Sequence, residues 1–418
     1  MGEYAELVPI APLSIIRLFN GSVERWLDRL PHSLDALAES LSELCQHYKI
    51  NLIYFNLPGY IPYILMARSY AGLNLGLLFL THSVGSEYWL KHWISIAPWL
   101  SHKDVLLSST VSSHQALLNI SPRYQLVKLI PLCIAMRSIP PTNKTAEKGE
   151  LRHILSIGRI EDVKNIHLLL ISFAEMCKVI PQLHLTIAGE YTGQTADQIA
   201  GYRKLLHQLV AELELEKQIT FSGPVKDEFK DMLFQRSELL INLSTDPGET
   251  FGYNLLEAKI WGIPVICSNW DGFQEVVRHG KDGYLIDCDW SQDQSEPRLN
   301  LDQVIAYSLR LLLNQSLHKN FSRNAKEAAY EYDYKSIMPC IMKEALQSVE
   351  CTVKAMPEAS EIALASCMDL PEIYRIENLK SLPFSKVPLL SLAIDSSREP
   401  ISTWISKAKP IINHYAGG

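Results

Sequence analysis

The chain has 418 residues, with 46 Asp and Glu against 39 Lys and Arg, for a formal net charge of −7. Hydrophobic residues make up 47% and charged residues 20%, which excludes a chain disordered throughout and supplies apolar material for more than one core. The acidic balance argues against a nucleic-acid partner, because phosphate backbones demand concentrated positive charge.

Read in chain order, the first part predicts helices near Ser33–Tyr48, Tyr60–Ala71, Glu87–Ile96 and Ser112–Asn119. Between them fall apolar or β-branched runs at Asn51–Asn56, Leu75–Leu80, Asp104–Ser108 and Tyr124–Ile130, read as strands. The run Leu75–Thr81 ends on His82 and Ser83. A single His at a strand end serves structure more often than chemistry. Tyr88, Trp89, His92, Trp93, Ile96 and Trp99 form an aromatic stripe at helical spacing, which favours core packing over an interfacial surface. Ser138–Glu150 is polar and carries a Pro pair, as expected of an interdomain linker.

From Leu151 the alternation is regular. Strands are predicted at Leu151–Ile157, Leu183–Ala188, Ile219–Phe221, Leu239–Leu243, Pro264–Cys267 and Tyr284–Ile286. Helices are predicted near Asn165–Val179, Asp197–Glu216, Lys226–Gln235, Gly252–Trp261 and Phe273–Arg278, followed by Leu301–Asn314 and Tyr334–Val349. Such βαβα order implies a parallel, doubly wound sheet. The expected division is residues 1–140, 141–335, a helix over 336–350 that packs back on the first domain, and an unassigned tail over 351–418.

Three segments of this second part carry chemistry. In Ser156–Asn165, Gly158 follows a strand and a helix follows the loop, with Arg159 and Lys164 between them. A strand–Gly–loop–helix unit can seat an anion, and two cations can neutralise a diphosphate, although the pair alone reads as solvated more often than not. Gly223, Pro224 and Val225 form a strand-to-helix turn. In Asn242–Glu275, Glu249 precedes a helix that opens near Thr250, Phe251 and Gly252 and stops at Gly262 with Pro264 beyond. Free backbone N–H groups at that helix start, with the positive end of its dipole, can take up a diphosphate, and Gly252 lets the backbone approach closely. Glu257 lies eight residues after Glu249, so the carboxylates stand about 12 Å apart along helical backbone. Two Glu at this spacing, taken alone, read as solvated.

The whole string P-G-E-T-F-G-Y-N-L-L-E-A-K-I-W-G-I-P-V-I resembles the E-x7-E signature of the family 4 retaining glycosyltransferases, which have the two-Rossmann GT-B fold. Lys259 and Trp261 stand where the family more often has small residues or Met, as helix-face changes. Gly158-Arg159 with Lys164-Asn165, about 90 residues upstream of the string, resembles the family's grip on the donor diphosphate, and Gly223-Pro224-Val225 resembles its turn against the nucleotide base. The string L-F-L-T-H-S resembles a first-domain strand whose His, here His82, lines the sugar site. The Ile130–Pro131 strand end is similar to the family's I-P-x-G segment, with the Gly either replaced by Cys133 or displaced.

The resemblance covers roughly Asn51–Val349. It implies two Rossmann-like domains facing across a cleft, and transfer of a sugar from a UDP-, GDP- or ADP-sugar to a carbohydrate or lipid-linked acceptor, with retention and without a metal or other cofactor. His82, Arg159, Lys164 and Glu249 would be catalytic. Gly158, Gly223, Pro224, Val225, Thr250, Phe251, Gly252 and Glu257 would bind the donor.

A second reading stays open. Before Ser33 there is no glycine-rich loop of the kind that shapes the family's acceptor side, so the first domain reads as shortened. A catalytically silent sugar-nucleotide-binding or partner subunit would look the same. A GT-B epimerase or phosphorylase is a weaker third reading, since no pyridoxal-phosphate lysine signature is evident.

No apolar run reaches the roughly 18–20 residues of a bilayer span, and the start MGEYAELVP lacks the basic and apolar regions of a secretory signal. The expected location is cytoplasmic, with peripheral contact at the inner membrane face where the acceptor is lipid-linked. The eight Cys form no C-x-x-C, so they read as reduced thiols rather than metal ligands.

Overall fold

The computed structural model describes residues 6–10, 12–19, 21–22, 25–26, 29, 32–55, 58–82, 84, 92–93, 96–120, 122–136, 151–246, 249, 251–289, 298–351 and 353. Thr250, Ser83, Tyr88, Trp89, the linker 138–150 and the whole tail from 354 lie outside them. The chain divides into two units, one formed by residues up to Leu132 with the chain from Lys335, the other running from Cys133 to Tyr334.

The first unit is a four-stranded parallel sheet of β1 (Leu52–Phe55), β2 (Gly76–Thr81), β3 (Val105–Ser108) and β4 (Lys128–Leu129), in that order. Its helices are α1 (Pro12–Leu18), α2 (His32–Tyr48), α3 (Ile61–Tyr70) and α4 (Val111–Ile120). Residues 122–126 are a 3-10 turn rather than the predicted strand start, because Pro122 opens a turn and leaves only two residues to pair with β3. The core joins Phe19, Trp26 and Tyr63 in one aromatic cluster and stacks Phe79 on Trp93 at 5.0 Å. His92, Trp93, Ile96 and Trp99 are all buried, as core packing of the stripe requires. Arg68 and Asp104 form a fully buried ion pair. The charges are tolerated because Arg68 also donates to the carbonyls of Leu75 and Trp99, while Asp104 accepts from the amides of Leu77 and Ser101.

The second unit has a six-stranded parallel sheet in the order β10-β9-β8-β5-β6-β7. The strands are β5 (Arg152–Ile157), β6 (Leu183–Ala188), β7 (Ile219–Gly223), β8 (Ser237–Asn242), β9 (Val265–Ser268) and β10 (Gly283–Ile286). Its helices are α5 (Ile166–Val179), α6 (Ala196–Glu212), α7 (Asp227–Arg236), α8 (Tyr253–Ile260), α9 (Phe273–Val276), α10 (Leu301–Leu313) and α11 (Gln315–Ala329). Strands buried on both faces give the continuous apolar runs seen in the sequence. Ile154, Leu185 and Ile241 from the sheet close against Leu169, Phe173 and Leu311 in one cluster. The last helix, α12 (Tyr334–Val349), belongs with the first unit beyond its first residue. Lys103 holds its end by donating to the carbonyls of Val349 and Cys351. A short β11 (Cys288–Asp289) and β12 (Arg298–Leu299) ladder and α11 have no counterpart in the sequence reading. Among the described residues no helix is long and apolar enough to cross a membrane.

Candidate functional site

In the six-stranded sheet the chain runs outward from β5 through β6 to β7, then returns to the other side of β5 with β8. The carboxyl ends of β5 and β8 therefore flank the point where strand order reverses, the place where open α/β sheets leave a crevice. Arg159 follows β5 directly, Lys164 closes a 3-10 turn over Asp162–Lys164, and Asp246 and Glu249 follow β8. Residues more than 80 positions apart thus meet. Lys164 Nζ lies 3.0 Å from Asp246 Oδ2, 2.7 Å from Glu249 Oε2 and 3.1 Å from Ser244 Oγ. Arg159 donates to Asp246 Oδ2 at 3.0 Å and to Glu161 Oε2 at 2.8 Å.

The two cations differ in setting. The Lys164 side chain is only 12% exposed, that of Arg159 55%. Burial pulls the Lys164 ammonium down, but Glu249 and Asp246 outweigh it and the net shift is upward, so Lys164 stays charged. The neighbouring Asn165 adopts the left-handed conformation at φ 54°, from which its amide donates to the Leu243 carbonyl and to Thr245 Oγ1. Thr245 N donates to the Val163 carbonyl at 2.8 Å, locking the β5 loop to the β8 loop.

Glycines clear the strand ends. Gly158 N donates to the Ala188 carbonyl and Gly189 N to the Gly223 carbonyl, which links the ends of β5, β6 and β7. A Cβ on Gly189 would fall 1.7 Å from the Gly158 oxygen. Gly223 has φ 69°, Pro224 beside it is exposed and Val225 half-buried.

At the start of α8, Gly252 is the N-cap with φ 78°, and a Cβ there would lie 2.6 Å from Phe273 Cε1. Asn254 donates to the Ile157 carbonyl at 2.7 Å, tying this helix start to β5. Phe251 is buried against Tyr253 and Tyr332, so only its backbone can serve a ligand. Glu257 is not a solvated carboxylate: it accepts from Lys230 Nζ on α7 at 2.6 Å. Lys259, expected on the helix face, is instead fully buried, with Nζ 3.0 Å from Asp282 Oδ2 and a further bond to the Val276 carbonyl.

His82 stands at the carboxyl end of β2 in the first unit, where burial lowers its pKa and favours the neutral ring. Arg159, Lys164 and Glu249 are joined in one network, Gly158 and Gly223 edge it, and Gly252 opens the adjoining helix. Asp246, Gly189 and Lys230 were not singled out from the sequence. Gly after the strand Leu183–Ala188 was a visible signal, while the other two show their partners only in the fold.

Residues 142–328 match the family described as glycosyl transferases group 1. N-acetyl-alpha-D-glucosaminyl L-malate synthase of Bacillus anthracis is 33% identical over 124 residues, 30% of this chain and 29% of the relative. D-inositol 3-phosphate glycosyltransferase of Pseudarthrobacter chlorophenolicus is 26% identical over 203 residues, 45% of this chain and 46% of the relative. The chain thus spans less than half the length of these curated relatives. Among solved structures, Anabaena HepE in complex with UDP and glucose aligns with a TM-score of 0.59 at 20% identity, covering 74% of this chain and 81% of HepE. Sucrose-phosphate synthase from Thermosynechococcus elongatus aligns at 0.58 and 20% identity, covering 77% and 79%. These likenesses establish the GT-B plan of two Rossmann-like units for the fold of this chain.

Proposed function

We propose that the chain is a retaining glycosyltransferase that moves a sugar from a nucleoside-diphosphate sugar to an acceptor hydroxyl. The observation that carries this reading is the Arg159–Lys164 cation pair at the switch point of a parallel sheet, beside the N-terminus of α8, within a group 1 glycosyl transferase segment.

In this reading the C1–O bond to the diphosphate breaks while a bond from the acceptor oxygen to C1 forms on the same face. The acceptor proton passes to the leaving phosphate oxygen. Arg159, Lys164, Gly158 and the N–H groups of Thr250, Phe251 and Gly252 stabilise the charge that develops on the diphosphate. These cations supply the positive charge that a metal would otherwise bring. Glu249 would hold sugar hydroxyls and Glu257 the ribose, with Gly223, Pro224 and Val225 against the base. The resemblance gives His82, a neutral ring, the role of a sugar contact. The relatives' names point to hydroxy-acid, inositol-phosphate and phosphatidylinositol acceptors, so these classes head the acceptor panel.

The test is nucleotide release from UDP-, GDP- and ADP-sugars with that panel, run with and without EDTA, and proton NMR of the product anomer. Transfer with inversion sinks the retaining mechanism, and loss of activity in EDTA sinks the metal-free one. Nucleotide binding with no transfer to any acceptor would favour the silent-subunit reading.

A further inference from the structure

The cation pair assigned above to the donor diphosphate already holds a carboxylate. Asp246 Oδ2 lies 3.0 Å from Arg159 Nη2 and 3.0 Å from Lys164 Nζ, so one oxygen bridges both cations as a phosphate oxygen would. Each cation also has its own acid, Glu161 on Arg159 at 2.8 Å and Glu249 on Lys164 at 2.7 Å. Three carboxylates therefore face two cations, and the cluster carries a surplus negative charge. Asp246 is also fixed through its backbone. Its carbonyl accepts from Trp270 Nε1 and from the Glu249 amide, each at 2.9 Å, and its N–H donates to Ser244 Oγ at 3.3 Å.

Asp246 is not needed to hold the cations in place. Without it, Arg159 keeps Glu161, and Lys164 keeps Glu249 and Ser244. What Asp246 adds is charge of the same sign as the donor's, at the position the donor would use. Resting on the donor-site reading above, we infer that Asp246 is an internal competitor for the diphosphate. Its carboxylate must give up both cations for a nucleoside diphosphate to bind, and it retakes them as the product leaves. It thereby weakens donor and product binding and hastens product release.

The experiment is calorimetric titration of UDP, GDP and ADP into the full-length protein and into Asp246→Asn, with the donor KM and kcat measured for both. The Asn side chain keeps the size and loses the charge. The nucleotide that binds wild type is expected to bind the variant on the order of ten-fold more tightly, since a like charge within about 3 Å of the anion has been removed. The donor KM falls with it, and kcat does not rise, because product now leaves more slowly. Asp246→Ser gives the same readout should the Asn variant fold poorly by circular dichroism. Equal or weaker binding by a folded variant overturns the inference and leaves the donor site standing. If none of the three nucleotides binds either protein, the donor site itself is overturned, and this inference with it.

Discussion

Lys164 and Arg159 carry the same charge but stand in different surroundings, and their variants separate on that basis. Arg159→Ala removes a half-exposed fork and is expected to leave the unfolding midpoint nearly unchanged while lowering sugar transfer by about 100-fold or more. Lys164→Ala is expected to lower transfer as far, and also to destabilise the fold, because it strands the partly buried Glu249 carboxylate, while Asp246 keeps only Arg159. Comparing turnover with urea unfolding for the two variants tests this; a Lys164 variant of unaltered activity would remove it from the site. Lys259 makes a purely structural counterpart. Replacing it with Met leaves Asp282 buried and uncompensated at a cost of about 3–5 kcal/mol, whereas the pair Lys259→Met with Asp282→Leu recovers much of that loss. Chemical denaturation of the single and double variants measures the difference. Arg159, Lys164, Glu249 and Glu257 stood out in the sequence only through the family resemblance of the strings that carry them, since each pair by itself reads as solvated. The charges opposite them did not. Lys230 meets Glu257 from another helix, and Asp246 looked like an ordinary turn residue until β8 was set beside β5.

At the scale of elements, the site depends on glycines where strand ends crowd one another. Gly189→Ala would set a Cβ against the Gly158 carbonyl at φ 154° and push β5 and β6 apart at their carboxyl ends. A loss of about 3 kcal/mol is expected, together with weaker nucleotide binding, read by thermal unfolding and by titration. Helix α12 offers a second test. Lys103 is buried and caps it through two carbonyls. Lys103→Met is expected to speed amide exchange over the last turn of α12 while leaving α5 and α10 protected, as hydrogen-exchange mass spectrometry would show. The helices and strands of the second unit were legible because their periodicity is regular. The helix missed there, α11, follows α10 with only Asn314 between them, and Asn314 both ends the first helix and caps the second by accepting from the Leu317 amide. A polar single-residue break of that kind leaves no Gly or Pro signal.

For the whole molecule, four histidines set an acid limit. Burial lowers the pKa of His82 and His114 in the first unit and of His153 and His184 in the second, where Arg236 adds to the shift. A folded chain whose histidines have lowered pKa values binds fewer protons than the unfolded chain. Stability from these groups is therefore complete above the ordinary histidine pKa of about 6.5 and is lost as pH falls below it towards the folded values. Urea midpoints are expected to fall between pH 7.5 and pH 5.5, and the His153→Gln, His184→Gln double variant should flatten that slope for the second unit.

The sequence by itself determined that this protein is built from two parallel α/β units and that a segment similar to the group 1 glycosyl transferases lies in the second. Those properties follow from hydrophobic period, helix stops and short motifs, all of which act between near neighbours. Tertiary structure alone decided the strand order β10-β9-β8-β5-β6-β7, and with it which charges meet. The bridge from Asp246 to Arg159 and Lys164, the pairing of Glu257 with Lys230 and the burial of Lys259 against Asp282 all depend on which buried strands and helices lie side by side. That choice is made by packing apolar faces across the whole sheet, and the ionic contacts at its edge follow from it.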